Sequence, residues 1–344
     1  MKSLSAQFKK MIKYMALVAV ALGMVACDTI LDNEDEDCEV RVQFIYEHNM
    51  LGVDAFHKQV SAVTLYIFDA DSTLVHQQNE TGAALADPNY RMRLPFDPKN
   101  HHLIAWAHTE GCTTTELTPL KTGKSCMKEL TCRIGGRSVR PDGCTEVREI
   151  GPIFHGQADK PIAVKTNDAA PTITIPLVKN TSTLRIILQN TSDTPLKAED
   201  FTYTVVEDNG LMAYDNALMP DDSLTYVPFA TQDGSAGYRK EESGTRANVN
   251  MAIAEFTLGR LMADKNPRLT VTNRSTGKTV FDIPLVDYLK LMRSQYNTGD
   301  MSDQEYFDRE DSYAFTFFLD EQANWLSASI LINSWRVVLQ DVDL

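Results

Sequence analysis

Basic residues are scarce in this sequence. Its 344 residues include 33 Lys and Arg against 47 Asp and Glu, a formal net charge of −14. A surface this acidic repels phosphate backbones, because nucleic-acid binding depends on neutralising phosphates with positive charge. We therefore predict no nucleic-acid partner. The same charge disfavours electrostatic attraction to an anionic membrane surface.

Short motifs that mark many active sites are missing as well. There is no G-x-S-x-G nucleophile elbow and no H-E-x-x-H metal-binding helix. Gly123-Lys124-Ser125 and Gly277-Lys278-Thr279 end like phosphate-binding loops, but in both a threonine stands where the first glycine is required. His101 and His102 are adjacent, so on a strand they would face opposite sides. We predict no enzymatic activity, no cofactor and no metal site.

Long apolar runs are absent beyond residue 26, so no later segment reaches the ~20 apolar residues that a membrane-spanning helix requires. The one apolar run, residues 15–26, follows a start that contains four lysines and no acidic residue. This order is typical of a secretory signal peptide, here residues 1–26.

Cys27 stands at the expected cleavage point, and Met24-Val25-Ala26-Cys27 resembles the lipobox of a bacterial lipoprotein. We predict that the mature chain begins at Cys27, acylated on its thiol and its amine. The alternative is an ordinary signal peptide that leaves Cys27 as a free thiol.

An acidic tether follows over residues 27–37, with Asp32-Asn33-Glu34-Asp35-Glu36-Asp37 at its centre. Removing the four leader lysines from the 33 basic residues, against 47 acidic residues, leaves the mature chain a net charge of −18. Like charges extend such a segment. Acyl chains would therefore have to hold the protein to outer-membrane lipid. The tract is either a sorting signal for surface export or a solvated linker.

Five cysteines remain, and export permits them to form disulfides. No pair has the C-x2-C spacing of a zinc motif, so cross-linking of a long loop is the better interpretation. Five is an odd number, so one thiol stays free or pairs outside the chain, and the connectivity is open. The disulfide candidates are Cys38, Cys112, Cys126, Cys132 and Cys144.

Apolar residues mostly alternate with polar ones, which predicts short strands, among them residues 40–46, a central strand over 63–68, residues 173–177 and residues 184–188. Helical spacing occurs at residues 285–292, and Ser302 with Glu305 predicts a capping box. The fold class is mainly β: two antiparallel β-sandwiches with a few short helices. We place the domains at residues 38–180, with a cysteine-rich loop at 109–149, and at residues 181–344, and we expect positive φ at Asn209-Gly210.

Three tryptophans could stack on sugar rings. Trp106 and Trp335 lie in apolar strand patterns, so core packing is the simpler interpretation of both. Trp325 lies in a less regular stretch and is a candidate ligand platform.

The chain resembles the FimB/Mfa2 family of fimbrial anchor subunits of the Bacteroidales lineage across nearly all of its mature length. The segments that carry the resemblance are Cys38-Glu39-Val40-Arg41-Val42, Phe44-Ile45-Tyr46, Asp54-Ala55-Phe56, residues 63–69, residues 103–107, Ile153-Phe154-His155-Gly156, Glu207-Asp208-Asn209-Gly210, Tyr226-Val227-Pro228, residues 304–310 and Ile332-Asn333-Ser334-Trp335. The resemblance implies two transthyretin-like domains, a lipidated N-terminus and a position at the base of a fimbria. It also implies a shaft pilin, and other accessory subunits, as partners.

The resemblance further implies assembly by strand addition, in which a neighbour's strand fills a groove opened by trimming the first strand. An anchor tethered through its N-terminus cannot lose residues 40–46 and stay attached, so we expect it to end assembly. Residues 335–344 either donate a strand or pair within their own domain. The second hypothesis for the function is a surface lipoprotein that binds glycans or an adhesion target. The third is a lipid-tethered hydrolase.

Overall fold

Alternating burial along the chain sets where strands form. The structure is a computed structural model that describes residues 40–109, 114–158, 164–165, 171–190, 194–239, 246–293, 300–332 and 335–338. Val40, Val42, Phe44 and Tyr46 are all buried, as the period-2 pattern predicts for one face of a strand. The protein is mainly β, and the predicted fold class is confirmed.

Strands account for most of the described chain. The first twelve are β1 (Arg41–Ile45), β2 (Ala62–Phe68), β3 (Leu74–Thr81), β4 (Met92–Arg93), β5 (His102–His108), β6 (Thr115–Leu117), β7 (Thr131–Ile134), β8 (Ser138–Val139), β9 (Thr145–Val147), β10 (Ile153–Ala158), β11 (Val164–Lys165) and β12 (Thr172–Lys179). The others are β13 (Thr181–Asn190), β14 (Phe201–Glu207), β15 (Leu211–Ala213), β16 (Leu224–Tyr226), β17 (Ala230–Arg239), β18 (Arg246–Gly259), β19 (Arg268–Asn273), β20 (Thr279–Pro284), β21 (Ser312–Leu319), β22 (Trp325–Ile332) and β23 (Trp335–Val338).

Short helices link some of these strands. The α-helices are α1 (Phe56–Gln59), α2 (Leu285–Arg293) and α3 (Asp303–Arg309), and single 3-10 turns occupy Gly82–Ala86, Met127–Glu129 and Ala198–Asp200. The helix predicted over 285–292 is confirmed as α2. The Ser302 hydroxyl accepts from the Glu305 amide and caps α3, as its sequence predicts. Within the described residues, no helix has the length and apolarity that crossing a bilayer demands.

The first sandwich is built from eight strands in the order β3-β2-β5-β10-β12-β1-β4, with β11 also pairing β12. Strand β2 is buried at every residue, so the central strand expected over 63–68 is confirmed. One face of β2, β5 and β10 packs against β1 and β12 to form a core of its own. The other face, which includes Tyr66, Ile104 and Trp106, packs against the second core.

The second sandwich consists of two six-stranded sheets. One has the order β17-β18-β13-β21-β22-β23 and the other the order β20-β19-β14-β16-β9-β8. Buried residues of both sheets and of α2 and α3 form one continuous core. A three-stranded sheet, β15-β7-β6, contributes Cys132 and Met212 to the same core.

The cysteine-bearing stretch differs from the long loop that the sequence predicts. It forms the four short strands β6 to β9, and they pair with strands from the second half of the chain: β7 with β15, and β9 with β16. Asp221 also binds this stretch, because its carboxylate accepts hydrogen bonds from Arg133 at 2.8 Å and from Arg137 at 2.6 Å. Strands of two to four residues are too short to show periodicity, which is why sequence analysis missed them.

The structure bears on two local expectations, and only the one on Asn209-Gly210 is wrong; the disulfides stay a prediction, because Cys38 and Cys112 lie outside the described residues. Cys126, Cys132 and Cys144 are free thiols, so the structure shows no cross-link at these three candidates, and Cys132 is wholly buried as a small apolar residue. Asn209 and Gly210 do not adopt positive φ. The Asn209 side chain is instead buried, where it accepts from the Tyr226 hydroxyl at 2.5 Å.

Candidate functional site: the first strand and the domain junction

Strand β1 lies inside its sheet, with a partner on each side. It pairs in parallel with β12, from Arg41 opposite Thr172 to Ile45 opposite Pro176. On the other side it pairs antiparallel with β4. The main-chain ladder extends beyond the strand, because the Leu94 amide donates to the Val40 carbonyl at 2.9 Å. Val40 to Val42 therefore have main-chain partners on both sides, and from Arg41 to Ile45 β1 occupies the position beside β12 that an incoming strand would need.

Side chains of β1 fill the first core. Val40, Val42, Phe44 and Tyr46 are each no more than 3% exposed. The Phe44 ring stacks on Phe56 in α1 at a centroid distance of 5.7 Å. Strand β1 is therefore part of the core itself.

The end of β1 lies close to the second sandwich. Tyr46 lies edge-on to Phe154 of its own core, with 5.1 Å between centroids, and near Asp311 and Glu310. Burial, and then the charges of Asp311 and Glu310, raise the pKa of the Tyr46 hydroxyl. Lys179 at the end of β12 pairs with Asp311 at 2.5 Å. Both sandwiches therefore hold the exit of the first strand.

The turn after β1 continues this contact. His48 lies near Arg309 and Asp308 of α3, and burial followed by the charge of Arg309 lowers the pKa of its imidazole. Met50 packs against the second core. Because the turn after β1 lies beside α3 and packs against the second core, displacement of β1 would also disturb the junction.

Buried polar side chains form the junction between the sandwiches. Asn180, between β12 and β13, exchanges two hydrogen bonds with Asn216, at 2.6 and 3.0 Å. Arg260 forms a bidentate pair with Asp308, with both Nη2 contacts at 2.9 Å. Arg260 also donates to the Asn216 carbonyl at 2.7 Å, which links the two pairs. The junction expected near residues 179–182 is therefore buried and fully hydrogen-bonded at Asn180.

A second buried contact links the first sandwich to the strand pair β7 and β15. His155 on β10 stacks edge-on with Trp106 at 4.6 Å, and its Nε2 lies 2.8 Å from the Tyr214 carbonyl oxygen. Burial lowers the pKa of His155 to about 4. The ring is thus neutral at pH 7, and Nε2 carries the proton donated to Tyr214. Trp106 is fully buried, which confirms its expected role in packing.

The other residues singled out from sequence lie apart from this junction. Cys27, Cys38 and Cys112 fall outside the described residues. Trp325 is half-buried, and its ring packs edge-on against Phe281 and Phe317 at 5.6 and 5.7 Å. Strand β23 pairs antiparallel with β22 at the end of its sheet.

Sequence reasoning placed the junction at residues 179–182, which include Asn180, but it missed Asn216 and Arg260 and gave no role to Asp308. Their partners lie 36 to 48 residues away along the chain, so no local pattern joins them. The one available signal was Asp308 itself, which falls within a segment that carries the family resemblance.

Two β-sandwiches joined by this junction define the class of fold, which is that of solved fimbrial and adhesin proteins. Similar solved structures include a putative adhesin from Bacteroides thetaiotaomicron, with 30% identity and a TM-score of 0.74, covering 88% of this chain and 97% of that chain. A second structure from the same species, described as putative polysaccharide binding proteins, has 29% identity and a TM-score of 0.70, covering 88% and 99%. The fimbrial anchor protein Mfa2 from Porphyromonas gingivalis shares the fold, with 15% identity and a TM-score of 0.60, covering 87% and 98%.

The particular family follows from the sequence. The family model of fimbrillin-A associated anchor proteins Mfa1 and Mfa2 matches residues 34–341, and the chain belongs to this family. It is a family of fimbrial proteins and not of enzymes. No curated protein matches the sequence significantly.

Proposed function

We propose that the chain is a lipid-anchored fimbrial anchor subunit that attaches a fimbria to the outer membrane and ends strand exchange at its own first-strand position. The observation that carries this proposal is the placement of β1, paired with β12 and β4 and buried on its core face. Membership of a fimbrial anchor family supports the same function.

Strand exchange requires an open edge in the acceptor. Unpaired N–H and C=O groups at such an edge are the template for an incoming strand. Here the chain's own β1 occupies that position. Opening it would expose Val40, Val42, Phe44 and Tyr46. At about 1.5–3 kcal/mol for each buried side chain, this exposure approaches the whole stability of an ordinary domain. The subunit is therefore closed to a donor strand at β1.

Lipidation and retention of β1 depend on each other. The acylated residue in this proposal is Cys27, so residues 27–40 connect the folded part of the protein to the membrane. The 13 Cα-to-Cα intervals from residue 27 to residue 40 span at most about 45 Å when the chain is fully extended. Cleavage after β1 would release the body from the membrane, whereas intact β1 passes any pulling force into both sandwiches.

The partner in this proposal is a major shaft pilin, with other accessory fimbrial subunits as further partners. Residues 335–344 are the candidate donor segment. Strand β23 lies at the outer edge of its sheet, and among the described strands it pairs only with β22. Pairing within its own domain is the competing hypothesis for the same residues.

Lipidation is tested by expressing Cys27→Ala in fimbriated cells, with Cys144→Ala as the matched control because its thiol is exposed and lies far along the chain. We expect Cys27→Ala to release the subunit and to shed fimbriae into the medium, while Cys144→Ala leaves both on the cell. Cys27→Ala protein that still fractionates with the outer membrane and retains fimbriae would refute the anchor.

Donation is tested by a deletion after Ser334, scored by incorporation into fimbriae and by pull-down of the shaft pilin. If residues 335–344 are the donor, the truncated chain remains on the membrane and captures no pilin. Normal incorporation would remove donation from the proposal and leave the lipid anchor intact.

Glycan binding is a second candidate function. It is favoured by the 29% identical structure described as putative polysaccharide binding proteins, which aligns with 88% of this chain. Trp325 is the platform in this proposal. Because its ring also packs on Phe281 and Phe317, Trp325→Ala must be checked for folding before a loss of glycan binding is interpreted.

A further inference from the structure

A cleft of about 500 Å³ on the second sandwich gathers arginines from three separate parts of the chain. Arg140 lies between β8 and β9, Arg148 follows β9, and Arg274 lies between β19 and β20. Glu146 and Glu199 also line the cleft, so its walls carry more positive than negative side chains. The lining of the cleft is therefore positive, although the net charge of the whole protein is −14.

Contacts with the main chain hold two of these guanidinium groups. Arg274 Nε donates to the Phe201 carbonyl at 2.9 Å, and within the described part of the chain its terminal nitrogens have no partner. Arg148 Nη1 donates to the Pro228 carbonyl at 3.0 Å, and its Nη2 pairs with Glu146 at 3.0 Å. The Arg274 guanidinium is thus oriented by one nitrogen while the others stay available to an anion.

Arg140 completes the cluster with looser contacts. It pairs with Asp142 at 3.2 Å and with Glu146 at 3.8 Å. Glu146 therefore serves two arginines, and Glu199 is paired with Lys197 at 3.4 Å. The carboxylates present do not neutralise all three guanidinium groups.

Hydroxyl groups also belong to the cleft. Tyr203 is a lining residue, but its side chain is 3% exposed and packs in the core, so its hydroxyl is not offered to a ligand. Thr202 and Thr231 add two hydroxyls to the lining.

We propose that this cleft binds a carboxylate-bearing sugar, such as a uronic acid unit of a polysaccharide. A guanidinium group pairs bidentately with a carboxylate, and the threonine hydroxyls match the hydroxyls of a sugar ring. The volume lies within the range of small-ligand sites, whereas an extended acidic peptide would need a longer groove. This site does not depend on anchoring, since a subunit that holds no pilin could still bind the sugar.

The test is calorimetric titration of the purified full chain, in a neutral detergent, with sodium glucuronate, glucose and acetate. We expect saturable binding of glucuronate and at least tenfold weaker binding of glucose and of acetate. Arg274→Gln should weaken glucuronate binding about tenfold or more, the usual effect of losing one charge-assisted contact. Added salt should weaken it as well, because these side chains are near the surface.

Arg274 also donates to the Phe201 carbonyl, so Arg140→Gln is the second variant, because in the described part of the chain the Arg140 side chain contacts only the carboxylates of Asp142 and Glu146. The control is Arg185→Gln, an exposed arginine paired with Glu255 outside the cleft, which should bind glucuronate normally. Absence of saturable binding, equal binding of acetate, or unchanged affinity in both cleft variants would overturn the site. None of these results would alter pilin capture or membrane attachment, so the two proposals fail separately.

Discussion

Replacing Asp308 with alanine is the sharpest test of the junction. Asp308 and Arg260 are each 13% exposed, and three hydrogen bonds of 2.9 to 3.1 Å join them. Removing one partner of a buried pair costs about 3–5 kcal/mol, because the remaining charge is left without compensation in a poorly solvated site. We expect Asp308→Ala to lose free energy of unfolding in this range, which corresponds to a fall in Tm of roughly 10 °C.

Asp282→Ala is the matched control. Asp282 pairs with Arg268 through the same types of group, but the two side chains are 44% and 50% exposed. Exposed pairs contribute about 0–1 kcal/mol. Thermal unfolding of both variants, followed by circular dichroism, would refute the reasoning if Asp308→Ala lost no more stability than Asp282→Ala. The double variant Arg260→Met/Asp308→Leu should recover most of the loss, because neither charge then remains buried alone.

Three further perturbations test other parts of the fold. Phe44→Ala removes a buried ring from β1 and should lower the free energy of unfolding, measured by chemical denaturation, by about 3–5 kcal/mol. Val139→Ala, at a side chain that is 74% exposed, should lower it by almost nothing. Equal effects of the two substitutions would contradict a core role for β1. Unfolded His155 gains a proton below pH 6.5, but the folded ring stays neutral until about pH 4, so stability should be lost as pH falls through this window, by up to about 3 kcal/mol. A Tm profile of His155→Gln with the same slope as the parent between pH 6.5 and 4 would refute this assignment. Gly156→Ala would place a Cβ against the Pro176 carbonyl oxygen and 2.6 Å from Leu177 Cδ2, so we expect the free energy of unfolding to fall by about 1–3 kcal/mol. Gly237→Ala is the control, because the nearest atom to its Cβ would be 3.6 Å away, and it should change stability little. Comparable unfolding midpoints for the two variants would count against a close approach of β10 to β12.

The sequence predicted those elements whose pattern is local. Period-2 alternation located β1, β2, β12 and β13, because each runs for five residues or more with one face in a core. Helical spacing located α2, and the Ser302 cap located the start of α3. In each case the signal lies within a single turn or strand.

Elements without such a signal were misjudged. Strands β6 to β9 are two to four residues long, so the stretch that contains them reads as a loop. Asn209-Gly210 has the composition of a tight turn, but burial makes Asn209 a hydrogen-bond partner of Tyr226 and of the Arg260 carbonyl. Packing outweighed local turn preference there, since a buried amide must find partners.

The sequence alone determined the β class and the positions of the longer strands, and it predicted the export signal and lipidation at Cys27, because composition and periodicity encode these properties residue by residue. Only the tertiary structure decided that β1 pairs with both β12 and β4, that Arg260 meets Asp308, and that Arg140, Arg148 and Arg274 share one cleft. These contacts join residues far apart in the chain, and burial and charge pairing across the whole fold select among the possible partners. No local pattern records that choice.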